Sequence, residues 1–433
     1  MKNRDMAIGL LLVGSASAAL AQTTDTRPPS FGAAPRAPSG PPARSIGIRA
    51  AVDVSYDSNA FGLSDALIRQ GRLAGRSKDD ISITPSLQLD ITQPFGRQAA
   101  YLRGTIGYDF YLQNSQLQRE RIQLDGGVNL QVGHGCSGGV NAAYGRFKSN
   151  SGDVFVLGDE PLIRDINTQE TLVFGGRAQC GGAIGITPAI GYQHSQIRND
   201  SRFFKLNDSN SDSFDGSIGY SRPSLGRISL YGTYTTAKYL NRTVIGLPGP
   251  IPGIPTDGVE SYSAGVRFER QIGTRVQGSI AGGYSWVNPK NIFSNKFRGS
   301  SYSASLNIRP FDAMSLDLLA SREAETTNAV FASYSITEIY ALNGTYRLNR
   351  KMSANFGSSY QSRDYRGRFA TVDGAATLGE DKFVRAYVGL AYDLNRRLRL
   401  NGLVSQQRRK ADNPLFNYNN TTVSLGASFA LSR

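Results

Sequence analysis

From Ile81 to Thr92 the chain alternates without a break: Ile81, Ile83, Pro85, Leu87, Leu89 and Ile91 are apolar, and Ser82, Thr84, Ser86, Gln88, Asp90 and Thr92 between them are polar. Successive side chains of a strand point to opposite faces, so this stretch lays one greasy and one wet surface along a sheet. The same period-two pattern recurs at strand length to the C-terminus, and no helical segment is expected to interrupt it. A soluble sandwich alternates too, but here an export signal comes first. Lys2 and Arg4 open it, Met6 to Gly14 is its apolar core, and Ala19 and Ala21 are small residues before Gln22. Residues 1–21 thus read as a cleaved secretory signal, too short to span a bilayer as a helix. Export followed by repeated alternation implies a transmembrane antiparallel up-and-down β-barrel of a bacterial outer membrane.

The totals agree. A mean hydropathy of −0.31 would suit a soluble protein, and after Gln22 no run nears the roughly 18 apolar residues of a membrane helix. A barrel reads this way because half of every strand faces water. Lys2, Arg4 and Asp5 take one positive charge away with the signal, leaving +13 of the chain's +14. That excess suits lipopolysaccharide phosphates or anionic solutes. Nucleic acid is set aside, because export removes the chain from it and no basic run gathers on one element.

Residues 22–44 hold six prolines with no strand pattern, and are expected to be a disordered periplasmic leader. Residues 45–433 form the barrel. Parity lays out nine strands running one way, over 46–56, 99–112, 136–148, 184–197, 227–239, 274–287, 314–322, 352–363 and 398–406. Nine return, over 79–92, 121–132, 166–180, 212–221, 259–270, 299–309, 334–348, 381–394 and 420–431, which makes about 18, or 16 if one hairpin is miscounted. Connections on one side are short, as from Gly133 to Gly135; those on the other are long, as over 57–78, 149–165, 240–258 and 364–380. Short periplasmic turns opposite long extracellular loops are the bacterial arrangement, and an even strand count puts both termini in the periplasm. Lipid-face parity sets Tyr56, Tyr108, Tyr144, Tyr192, Tyr234, Tyr284, Trp286, Tyr302 and Tyr360 toward the loops. Phe268, Tyr346, Tyr392 and Phe429 fall toward the turns. Two girdles are what the two interfaces favour.

One hairpin motif repeats. Tyr346-Arg347-Leu348-Asn349-Arg350-Lys351-Met352 matches Tyr392-Asp393-Leu394-Asn395-Arg396-Arg397-Leu398 at a spacing of 46 residues. These hairpins, the Pro-rich leader, the opening Val54-Ser55-Tyr56-Asp57-Ser58-Asn59 and the later Tyr360-Gln361-Ser362-Arg363 resemble the putative β-barrel porin 2 family of proteobacterial outer-membrane proteins. Members often accompany exopolysaccharide genes, so the resemblance implies an export role as one expectation. The last strand resembles the terminal signal read by the barrel-assembly machinery, although it ends on Ser432 and Arg433 after Leu431 where that signal usually ends on an aromatic residue.

Chemistry is sparse. The two histidines, His134 and His194, and the two cysteines show no metal-ligand spacing, and no cofactor loop occurs. His194 has Ser195 beside it on the opposite face and Gln196 two residues away, so no nucleophile and base share a face. The expectation is a chain that is not an enzyme and takes no metal or cofactor. Cys136 opens one strand and Cys180 ends its neighbour, both at the turn side with the same parity, so an oxidising periplasm is expected to join them.

About 18 strands enclose a lumen of roughly 35 Å backbone diameter, too wide for side chains to fill. The first expectation is therefore a porin-like channel for hydrophilic solutes. The alternatives are an exopolysaccharide export conduit, for which inward Tyr101, Tyr111, Tyr231 and Tyr387 could stack on sugars, and a non-conducting structural or surface-binding barrel. Inward parity gives pore-lining Asp90, Asp109, Asp125 and Asp215 in the first half, with Asp53, Arg49, Arg103 and Arg177. It gives Arg267, Arg363, Arg385 and Arg399 in the second, with Glu269 and Asp317. Either these charges pair along the wall, or an acidic arc faces a basic one, sharpened by Asp153, Asp159 and Glu160 if the third loop folds inward. Expected partners are outer-membrane lipids and lipopolysaccharide, the barrel-assembly machinery, and a polysaccharide or small anionic solute.

Overall fold

The computed structural model describes residues 44–71, 73–133, 135–149, 166–201, 204–245, 249–327, 332–367 and 378–431. The expected signal, most of the leader, His134, and Asp153, Asp159 and Glu160 lie outside them.

The described residues form eighteen strands: β1 (Ser45–Asp57), β2 (Asp80–Phe95), β3 (Gln98–Tyr111), β4 (Arg119–Val132), β5 (Cys136–Lys148), β6 (Thr168–Cys180), β7 (Gly185–Asn199), β8 (Ser209–Arg222), β9 (Gly226–Thr243), β10 (Thr256–Ile272), β11 (Val276–Pro289), β12 (Phe297–Ile308), β13 (Met314–Glu325), β14 (Tyr334–Arg347), β15 (Met352–Arg366), β16 (Glu380–Asp393), β17 (Leu398–Ala411) and β18 (Tyr418–Ala430). Every strand pairs antiparallel with its chain neighbours. β1 also pairs with β18, from Arg49 opposite Ala430 to Asp57 opposite Thr422, so the sheet closes on itself and has no edge.

Parity holds around the wall. The apolar side chains expected to meet lipid point away from the axis: Ile190 is 69% exposed in the bare chain, Leu425 67% and Val388 60%. Apolar surface of this extent is stable only in hydrocarbon. Aromatic pairs mark the loop-side girdle, with Tyr192 against Phe214 at 4.9 Å and Tyr234 against Tyr262 at 4.8 Å. The repeated hairpin motif makes the same turn twice. Asn349 Oδ1 accepts from the amides of Lys351 and Met352 at 2.8 and 2.9 Å, and Asn395 Oδ1 accepts from those of Arg397 and Leu398 at the same distances. A short amide side chain that reaches its own downstream backbone explains why Asn occupies both positions.

Two expectations need correction. Several strands run further toward the loops than alternation indicated: β9 to Thr243, β15 to Arg366 and β17 to Ala411. Beyond the lipid both faces of a strand become polar or loop-covered, so the apolar signal ends before the hydrogen bonds do. The first loop also contains a helix, α1 (Asp65–Arg69), whose N-cap Ser64 accepts from the Leu67 amide.

Candidate functional site

The long loops lean on one another through a dry core. Phe61, Leu63, Leu67 and Leu73 of the first loop pack with Leu117, Ile166 and Phe204 of the next three, and Leu415 between β17 and β18 joins them. Lys148 Nζ fastens the first loop by donating to the Ala60 carbonyl at 3.1 Å and to Tyr111 Oη at 3.2 Å. On the far arc, Tyr239 of β9 donates to the Ser333 carbonyl at 2.8 Å, and Tyr334 donates to that of Asn295 at 2.7 Å. The constriction expected of the third loop, at Asp153, Asp159 and Glu160, lies outside the described residues; what the described loops show is an apolar cluster seeded in the first. Its signal was the recurrence of apolar residues at Phe61, Leu63, Leu67, Ile68 and Leu73 in a loop outside the strand pattern.

Below the loops a cavity of about 570 Å³ lies against the inner wall between β6 and β14. Hydroxyl residues such as Ser195, Ser213, Thr235, Ser261, Ser279 and Ser305 line it beside apolar Val259, Val287 and Leu319 and the charged Arg267, Glu269, Glu323 and Glu325. Neighbouring hydroxyls bond to each other, as Ser213 Oγ to Thr235 Oγ1 at 2.9 Å and Ser279 Oγ to Ser305 Oγ at 2.8 Å. Rotating hydroxyls both donate and accept, so this wall replaces the hydration of a passing polar solute without fixing its charge.

The inward charges are mostly neutralised by neighbours. Arg103 lies 3.3 Å from Asp90, Arg121 2.9 Å from Asp109 and Arg177 3.0 Å from Asp215. Asp53 accepts from Asn401 at 3.3 Å. In the second half, Arg399 lies 3.7 Å from Asp393, and Arg363 and Arg409 share the buried Asp381. Arg385 is buried in the wall, 8% exposed. The expected acidic and basic arcs therefore give way to local pairs, because carboxylates absent from the expectation, Asp381 and Asp393, stand beside the arginines. Among the described residues Arg267 forms no ion pair; its guanidinium lies 4.9 Å over the ring of Tyr231, in a cavity wall that also carries Glu269, Glu323 and Glu325.

Three of the four inward tyrosines lie flat on the wall where glycine makes room. A Cβ on Gly357 would meet Tyr387 Cε1 at 2.6 Å, one on Gly283 would meet Tyr231 Oη at 2.9 Å, and one on Gly127 would meet Tyr101 Oη at 2.9 Å. The Tyr387 hydroxyl then donates to Asn343 at 2.9 Å, two strands from its own. Tyr111, the fourth, belongs to the loop core instead.

Remaining candidates are quickly placed. His194 Nδ1 is 2.8 Å from Asp212 and its Nε2 is 3.1 Å from Gln196, on the outward face and away from the cavity. Cys136 and Cys180 are register partners in β5 and β6 with Cα atoms 4.0 Å apart, and a disulfide joins them. A group of three or more His, Cys, Asp or Glu fit to hold a metal does not occur among the described residues.

Residues 257–431, from β10 onward, match the family model described as Putative beta-barrel porin 2. Among solved structures, OccK2 (OpdF) of Pseudomonas aeruginosa in complex with glucuronate aligns at 11% identity over 90% of this chain and 99% of its own, with a TM-score of 0.42. A BenF-like porin of Pseudomonas fluorescens aligns at 12% identity over 89% and 99%, with a TM-score of 0.43. The siderophore receptor PirA of Acinetobacter baumannii aligns at 6% identity over 90% of this chain and 81% of its own, also at 0.43. Comparison with curated proteins finds no match.

Proposed function

We propose that this chain, its first 21 residues removed on export, is a porin-like channel of the outer membrane that passes small hydrophilic solutes. One observation carries the reading: a closed eighteen-strand wall that is apolar outside and, along its cavity, carries hydroxyl and charged side chains inside. The family match over residues 257–431 supports it. Many lumenal charges are paired, and carboxylates share the cavity wall with Arg267, so the wall attracts neither sign strongly. The packed loops cover part of the barrel's loop end.

A polysaccharide conduit is the second reading. What favours it is the set of tyrosines laid along the wall at Tyr101, Tyr231 and Tyr387, which offers rings on three sides of the lumen. Swelling of proteoliposomes in pentose, disaccharide and longer oligosaccharide solutions separates the two. Rates that fall steeply with solute size support the porin; uptake of the oligosaccharide at the pentose rate supports the conduit; no swelling beyond protein-free vesicles refutes both.

A further inference from the structure

Two lysines stand directly opposite each other on the lipid-facing surface. Lys382 of β16 is the register partner of Lys410 of β17, and Arg408 follows on the same face opposite Val384. All three are exposed. Like charges directly opposite in a ladder repel, because their Cβ atoms are only about 5 Å apart. Glu380 offsets Lys382 at 3.0 Å, but among the described residues Arg408 and Lys410 have no carboxylate partner. Some other outer-rim cations are matched, as Lys290 by Glu260 at 3.2 Å and Arg322 by Glu338 at 2.9 Å, while among the described residues Lys238 and Arg298 stand singly rather than in a cluster of three.

Their height defines what meets them. Val384 is the register partner of Tyr360 in the loop-side girdle, and Lys382 lies one outward step beyond it. Below are Val384, Val388 and Val404, 50%, 60% and 52% exposed in the bare chain, which require acyl chains against them. Long basic side chains at such a boundary reach to the headgroup layer. We propose that Lys382, Arg408 and Lys410 form a docking site for the phosphate of an outer-leaflet lipid. Its acyl chains cover the valine strip while its phosphate lies between the three cations. A free phosphate would satisfy the cations but not the strip, so the lipid is the occupant. The inference rests on the outer-membrane reading with the long loops outside, and not on conduction.

The test uses the full mature chain folded in zwitterionic detergent micelles, with bound lipid counted by native mass spectrometry. The probes are diphosphoryl lipid A, fully dephosphorylated lipid A and inorganic phosphate. The parent protein should retain diphosphoryl lipid A in preference to the other two. The triple variant Lys382→Gln, Arg408→Gln, Lys410→Gln should bind it about a hundredfold more weakly, at roughly a kilocalorie per basic residue. Lys382→Arg with Lys410→Arg, which keeps the charge, and Lys238→Gln, on the outward rim of β9, should bind as the parent does. Folding of each variant is verified by its heat-modifiable gel mobility. Equal retention by the folded triple variant, or equal retention of the dephosphorylated lipid, would overturn the proposal. Competition by inorganic phosphate at the lipid's own concentration would overturn the lipid assignment. A barrel that binds in this way yet fails to conduct would refute the channel and leave this site standing.

Discussion

Asp381→Asn should destabilise the barrel more than any change of one lumenal charge elsewhere. Asp381 is fully buried and accepts from Arg363 Nε at 2.9 Å and Nη2 at 2.6 Å, from Arg409 Nε at 2.9 Å and Nη2 at 2.6 Å, and from Tyr365 Oη at 3.3 Å. The side chain of Arg409 is 0% exposed and that of Arg363 10%. Removing the carboxylate charge leaves two guanidiniums out of water without their anion, and breaking a buried pair in this way costs about 3–5 kcal/mol. Urea titration of the folded barrel in micelles, followed by gel mobility, should show a loss of that size. Replacing Arg363, Asp381 and Arg409 together by Met, Leu and Met should recover most of it, because no charge of the triad then remains buried. Ion selectivity should stay as in the parent for Arg363→Gln and move toward cations for Arg267→Gln. A loss below about 0.5 kcal/mol for Asp381→Asn, the range of ordinary surface changes, would refute the buried triad.

Arg placed at Ile280 or Val388 should cost about 2–4 kcal/mol of insertion energy near mid-membrane, whereas Arg at Gln88 or Ser305 should be tolerated; equal harm in folding titrations would reverse inside and outside. Intact-mass measurement after alkylation without reductant should show Cys136 and Cys180 unmodified, and Cys136→Ser with Cys180→Ser should lower stability by about 2–4 kcal/mol. Gly357→Val should push the Tyr387 ring off the wall and cost about 1–3 kcal/mol, measured by the same titration, while Gly216→Val, where a Cβ meets nothing within 4 Å, should cost less. An epitope at Gly253, which is exposed with open space around it, should be labelled on intact cells, and one at Gly273 or Asn349 should not.

The wall was legible because lipid demands strict alternation: Val388, Ile280 and Leu425 each obey it, and a slip of one residue would have put Asp90 or Arg385 into hydrocarbon. The turns were legible from Asn349 and Asn395, whose side chains make local bonds. The loop core was not, since Phe61 and Phe204 join one cluster from loops six strands apart and nothing in their own segments names the partner. Lumenal charge was half legible. Parity identified Arg363 as inward, but its neutralisation depends on Asp381 and on Arg409, which lies past the expected end of its strand at 406. Register, which decides who pairs with whom, is a property of two strands and is written in neither alone.

Single-channel recording on the purified mature chain in a planar bilayer addresses the central claim most directly. The account predicts discrete, long-lived conducting steps with weak ion selectivity, shifted toward cations by Arg267→Gln and enlarged in size when the first-loop core is loosened by Phe61→Ala with Leu67→Ala. A folded, inserted barrel that gives no steps in either the parent or the loosened variant would contradict it.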